Sequence, residues 1–232
     1  MRDALIAVLG KPLGIIVLQL LEATQYTIYL SLIAFAGGGL VALAITVMRI
    51  SPNRSMVALA SGYIWLFQSV PLLMLLFLLG LGVPRLLGFG VEPWVAAIIS
   101  LTLHASAYLS DVWRGALQSV PLGQWEGGRA LGLPFRRILE LIILPQAVKI
   151  ALAPTVGLMV QIIKGTSLAF IIGFQDLMIT GKRWANAPVD GTEPFIIFPL
   201  MALVYFGLCF PLSVLSRHLE QRFGSKLKLH GV

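Results

Sequence analysis

Five stretches of this chain, at roughly 26–48, 56–82, 93–113, 141–163 and 195–215, each supply about 20 mostly apolar residues, the length a helix needs to cross a hydrocarbon core. Nothing else constrains the fold as strongly. Of 232 residues, 58% are hydrophobic and only 12% charged, and the mean hydropathy is +0.90. A soluble domain of this size does not need so much apolar surface. The expected architecture is an all-α membrane protein of about five transmembrane helices. It forms a single domain over 1–232, with a core at about 20–220 and a basic tail at 217–232.

The charges lie mostly between the spans. With the N-terminus outside, Arg49, Arg54, Arg114, Arg129, Arg136, Arg137, Lys149, Arg217, Arg222, Lys226 and Lys228 fall on the cytoplasmic side. Arg2, Lys11, Arg85, Lys182 and Arg183 fall outside, and Lys164 sits near a span end. Basic loops stay in the cytoplasm, so the asymmetry predicts N-out, C-in. It also explains the net charge of +7 without nucleic acid. Met1 to Leu21 lacks the layout of a cleavable signal, because Gly10-Lys11-Pro12 interrupts it. Its run from Ile15 to Leu21 is too short to span and is expected along the interface. The loop 174–194 is the longest outward one, with Trp184 at headgroup level.

Several chemistries find no residues to carry them. No G-x-x-x-x-G-K followed by Ser or Thr is present, so no phosphate-binding loop is expected. The single cysteine, Cys209, lies in an apolar run without metal-ligand company and reads as a packing residue. No His/Cys cluster suggests a metal, and no Ser/His/Asp set suggests a nucleophile. The chain is expected not to be an enzyme.

Between the third and fourth spans lies a polar island, Glu126-Gly127-Gly128-Arg129-Ala130-Leu131-Gly132. It predicts a short helix with Glu126 in the first turn, where the helix dipole favours a negative charge. Gly132 is expected to take the left-handed position that ends the helix, and Pro134 to block its resumption. These residues resemble the cytoplasmic loop of binding-protein-dependent ABC importer permeases, which reads E-A-A, three residues, G, nine residues, I, one residue, L-P. Glu126, Gly132, Ile142, Leu144 and Pro145 match at that spacing, with Gly127 and Gly128 in place of the alanines. The flanking Gln118-Ser119-Val120-Pro121, Gly123-Gln124-Trp125 and Ile143-Leu144-Pro145-Gln146-Ala147 resemble the polar amino acid branch.

That resemblance, over about residue 20 to the C-terminus, implies a type I ABC importer permease fold with a cytoplasmic coupling helix in the loop 121–140. Glu126, Gly127, Gly128, Gly132 and Pro145 would couple to the ATPase. Implied partners are an ATP-binding subunit dimer, a second permease copy or homologous permease, an extracytoplasmic amino-acid-binding protein, and membrane lipid. The chain itself would hold no cofactor, ATP-Mg residing on the ATPase. The implied location is the bacterial inner membrane, and the implied mechanism is alternating access driven by ATP.

Polar groups within spans usually face a cavity or another helix, since each costs a few kcal/mol in hydrocarbon. On the third span Ser100, His104, Tyr108 and Asp111 fall on one helical face. They read as a pathway lining, as a subunit interface, or, for Asp111, as a pairing with Arg114 one turn on. On the second span Pro71 follows Gln68-Ser69 and predicts a kink that frees backbone. This resembles a permease element of Arg, Gly or Ser, Thr or Ile, then Pro, with Gln68 where Arg is usual. At the fourth span's end, Lys164-Gly165-Thr166-Ser167-Leu168 resembles the family's K-D-T-S-L, with Gly165 where Asp is common. The expected pathway residues are Gln68, Ser69, His104, Thr166 and Ser167; the alternatives are local backbone bonding and a snorkelling Lys164.

The lack of acids in mid-span, together with Gly165, leans the substrate toward an acidic or neutral amino acid. Asp190-Gly191-Thr192 resembles text of glutamate/aspartate permeases. A rival reading is an autonomous ion-coupled carrier using His104 and Asp111 as a proton relay; five spans without an internal repeat argue against it. A membrane scaffold is a third reading, against which the polar stripe speaks.

Overall fold

A computed structural model describes residues 10–189 and 192–228, of which 224–228 as backbone alone. Asp190, Gly191, Arg2 and the side chains of Lys226 and Lys228 therefore lie outside the described residues. Among the described residues there are helices and turns but no strand. We number the helices α1 (Lys11–Arg49), α2 (Arg54–Ser69), α3 (Leu72–Leu87), α4 (Pro93–Gln118), α5 (Leu122–Ala130), α6 (Phe135–Ile172), α7 (Leu177–Ala185) and α8 (Pro194–Lys228). Four of these, α1, α4, α6 and α8, are long and apolar enough to cross a membrane singly. The fifth crossing requires α2 and α3 together, and they meet at a bend of 97°.

That bend sharpens the sequence expectation of a kink. Pro71 has extended backbone (φ −56, ψ 137) and caps α3, its carbonyl accepting from Met74 N and Leu75 N. The residue before a proline avoids the helical region, so α2 stops at Ser69. The first span differs more. Ile15 to Leu21 is no separate interfacial segment but part of the 39-residue α1, about 58 Å at 1.5 Å per residue. Pro12 lies in the first turn, where its missing N–H is no loss. The proline expected to interrupt the segment instead starts the helix.

Two π turns have one cause. Leu78–Gly82 and Leu139–Ile143 each end two residues before a proline, Pro84 and Pro145. Proline cannot donate to the carbonyl four residues back and its ring crowds it. The ladder widens there, with Val83 N bonding Leu78 O and Leu144 N bonding Leu139 O.

The chain divides into two compact units. The first draws on Met1–Ala36, Val70–Thr102 and Gln161–Phe210. Its buried cluster is Ile16, Leu20, Leu177, Ala185, Ile197 and Met201. The second draws on Gly37–Ser69, Leu103–Val160 and Pro211–Val232. One of its clusters, Ile45, Ala60 and Ile64, joins α1 to α2. Another, Ala116, Leu117, Val120, Ile138, Ile143 and Ala147, joins the end of α4 to the start of α6.

Candidate functional site: the α5 helix and the polar groups of the spans

The α5 helix is nine residues long and polar, and its stop is fully specified. Gly132 has φ +69, the left-handed position expected of it. Gly132 N donates to Arg129 O at 2.9 Å and Leu133 N to Gly128 O at 3.2 Å. These two bonds form a Schellman motif that satisfies carbonyls left over at the helix end. The start differs from expectation. Pro121 precedes the helix and Leu122 begins it, so Glu126 sits at mid-helix, not in the first turn. Glu126 therefore gains nothing from the helix dipole and lies exposed on the helix surface.

One side of α5 is anchored to unit 2. Trp125 packs against the α4/α6 cluster and stacks on Phe135, ring centroids 5.8 Å apart at 21°. Gln146 Nε2 donates to Gln124 Oε1 at 3.2 Å and to Ile142 O at 2.8 Å. Gly128 is buried, and a Cβ there would stand 2.9 Å from Ile138 Cγ1. The other side is open: Leu122, Glu126, Arg129 and Leu131 are exposed. Pro145 is exposed at the second position after the π turn, which places it at the base of the same loop. α5 is thus a short helix with a defined stop, rooted on one side and bare on the other.

Within the spans, several polar side chains are occupied locally. Ser100 Oγ is fully buried and donates to Ala96 O at 2.7 Å. Asp111 pairs with Arg114 at 3.0 Å, and Arg114 also donates to Gln118 Oε1 at 2.8 Å. This is the structural pairing considered from sequence, and it leaves Asp111 engaged. His104 leans on Tyr108, centroids 4.8 Å apart, and its Nδ1 is buried without a partner. Gln68 Nε2 reaches Ala107 O at 3.4 Å, at the long limit of a hydrogen bond, and Ser69 is exposed. Gln68, Ser69 and His104 thus belong to unit 2, where Gln68 lies one turn along α4 from His104 through that contact.

Thr166 and Ser167 belong to unit 1. Thr166 Oγ1 donates to Ile163 O at 2.7 Å and Ser167 Oγ to Lys164 O at 2.6 Å. Both give their protons to carbonyls one turn back. Gly165 is close-packed: a Cβ there would stand 3.0 Å from Leu72 Cδ2. Glycine at this position admits α3 close to α6.

Sequence reasoning missed two features. Tyr63 Oη and Ser106 Oγ lie 2.6 Å apart, tying α2 to α4. The signal was present as two polar residues on facing apolar spans, but pairing between distant segments cannot be read from spacing. Asp176 falls in the stretch 174–194 expected as a loop, but it is the N-cap of α7. Asp immediately before an apolar run is a helix-start signature, and its Oδ1 accepts from Ile179 N at 3.0 Å.

The family profile of binding-protein-dependent transport system inner membrane components matches residues 38–225. The nopaline transport system permease protein NocM of Agrobacterium fabrum (strain C58 / ATCC 33970) is 35% identical over 208 residues, 84% of this chain and 83% of that one. The probable amino-acid ABC transporter permease protein YckA of Bacillus subtilis (strain 168) is 32% identical over 203 residues, 88% of each chain. The crystal structure of an amino acid ABC transporter with histidines superposes with a TM-score of 0.81 at 27% identity, covering 88% of this chain and 93% of that one.

Proposed function

This chain belongs to the binding-protein-dependent transport system inner membrane component family and is an amino-acid ABC transporter permease, and we propose that it forms half of a pathway for ATP-driven uptake of an acidic or neutral amino acid. The observation that carries the reading is α5: a Schellman-closed helix, rooted by Trp125 and Gly128 and bare on its outer side. In this reading an ATPase subunit grips the bare side, and Glu126, Gly127, Gly128, Gly132 and Pro145 form the coupling loop. ATP-Mg sits on that subunit. The second half of the pathway is another copy of this chain or a homologous permease, and an extracytoplasmic binding protein delivers substrate. The N-terminus is outside and the C-terminus cytoplasmic, as the basic residues favour.

Gln68, Ser69, His104, Thr166 and Ser167 are the pathway residues in this reading. Polar groups are costly in hydrocarbon, and the backbone breaks beside Ser69 at Pro71. Glycine at position 165 supports the substrate class, because a cationic substrate would be served by a carboxylate there. The alternative carrier needs His104 and Asp111 as a relay, and Asp111 is engaged with Arg114.

The test is uptake into proteoliposomes carrying the purified permease with its ATPase and binding protein. The reading expects accumulation only with ATP, ATPase and binding protein all present. Accumulation driven by an ion gradient with the permease alone would replace it with the carrier.

A further inference from the structure

A cleft of about 500 Å³ opens in unit 1 between the first half of α1 and α7. It holds none of the residues assigned to the pathway or to α5. α7 is fastened to α1 there, because Trp184 Nε1 donates to Gln19 Oε1 at 2.8 Å. Glu22 of α1 and Arg183 of α7 both line the cleft, and both are exposed. Yet neither forms an ion pair with the other or with any further described residue. The cleft therefore presents a free anion and a free cation across one opening. Thr180, one turn before Arg183 on α7, adds a hydroxyl.

The depth of the cleft says what kind of molecule meets it. The apolar span of α1 begins at about Tyr26, itself a lining residue. Glu22 lies one turn beyond it, about 6 Å along the helix. A hydrocarbon core of about 30 Å in a bilayer of about 40–45 Å leaves a head-group layer of about 5–8 Å on each side. Glu22 is in that layer, and Tyr26 and Trp184 are residue types that favour it. Toward the hydrocarbon, Tyr26, Tyr29 and Ile33 are exposed. At 3.6 residues per turn they share with Glu22 an arc of about 60° on one face of α1. A charged cleft at head-group depth thus runs on into an apolar track on the same helix face.

We propose that this cleft binds phosphatidylethanolamine, its phosphate on Arg183 and Thr180, its ammonium on Glu22, and one acyl chain along Tyr26, Tyr29 and Ile33. A guanidinium with a hydroxyl beside it suits a phosphate. A carboxylate accepts the N–H donors of a primary ammonium, which choline lacks. A purely anionic lipid would bring its phosphate beside Glu22 with no ammonium to offset the repulsion. A free amino acid carries both charges but has no chain to cover Tyr29 and Ile33. The placement requires only that α1 crosses the membrane. It holds for either orientation and stands apart from the roles given to α5 and the pathway residues.

The test uses the assembled complex in detergent, stripped of lipid and then given dioleoyl phosphatidylethanolamine, phosphatidylglycerol or phosphatidylcholine. Bound lipid is counted by native mass spectrometry. Wild type should retain phosphatidylethanolamine in preference to the other two. Glu22→Gln should cut that preference about fivefold, the scale of one exposed charge contact. Glu22→Lys should turn it toward phosphatidylglycerol, and Arg183→Gln should lose retention of all three. Exchanging the charges, Glu22→Arg with Arg183→Glu, should restore the preference for phosphatidylethanolamine. Both positions are exposed, so the lipid-free variants should melt with wild type, which separates loss of the site from loss of the fold.

Three results overturn the proposal. Equal retention of every lipid by wild type and all variants would mean that another protein surface covers this face. A wild-type preference for phosphatidylglycerol would mean that Arg183 alone sets the site. Displacement of the bound lipid by millimolar free amino acid would make the cleft a small-molecule site.

Discussion

Gly128 lies so close to Ile138 that an added Cβ would stand 2.9 Å from Ile138 Cγ1 and 3.1 Å from its Cγ2. Gly127, its neighbour, has open space on the same test. The two glycines that replace the family's alanines are therefore unlike. Gly127→Ala should stabilise α5 by about 1 kcal/mol, the helix propensity difference, and leave coupling intact. Gly128→Ala should cost about 1–3 kcal/mol by overpacking and lower substrate-stimulated ATP hydrolysis. A double-mutant cycle with Ile138→Ala checks it. The two substitutions should cost less together than the sum of their separate costs, and simple additivity would rule out the contact as the cause.

Pro145 offers a second test of the same loop. Pro145→Ala restores an N–H that can bond Leu141 O and close the π turn Leu139–Ile143 into α-helix. One residue of helix is about 100°, so the segment from Phe135 to Ile138 should turn relative to α6. Assembly should persist while stimulated ATP hydrolysis falls. Stimulation equal to wild type would show that the π turn does not set the position of α5.

Orientation is checked by labelling. In a Cys209→Ser background, Lys182→Cys should react with an impermeant thiol reagent in intact cells and Lys226→Cys should not. The reverse pattern would place α5 outside the cell and remove the coupling account.

For the pathway, Thr166→Val removes the hydroxyl at nearly constant volume, and Ser69→Leu fills space at an exposed position. Both should reduce uptake while the binding protein still stimulates ATP hydrolysis. His104→Asn should be milder, since an amide also donates and accepts. A severe loss in His104→Asn alone would favour a proton relay. Wild-type uptake in all three would make these groups packing residues.

The spans and the stop of α5 were legible because each rests on local rules. Apolar length sets the spans, and Gly132 with Pro134 sets the stop. Where the sequence misled, a local rule had been placed at the wrong residue. Pro12 looks like an interruption, but in the first turn it costs no hydrogen bond, so α1 runs unbroken to Arg49. Glu126 looks like a first-turn acid, but the helix already begins at Leu122 behind Pro121. The Tyr63–Ser106 contact between α2 and α4 was not legible at all. It joins residues from separate helices, and neither spacing nor periodicity carries that information.

The central claim is that α5 transmits ATPase motion to the spans, and the most direct measurement is binding-protein-stimulated ATP hydrolysis by the assembled complex with Glu126→Lys or Gly132→Val. Glu126→Lys reverses the charge on the bare side, and Gly132→Val puts a β-branched residue where φ is +69. The account predicts that both variants reach the membrane and assemble, yet lose the stimulation along with uptake. Full stimulation in both would contradict it.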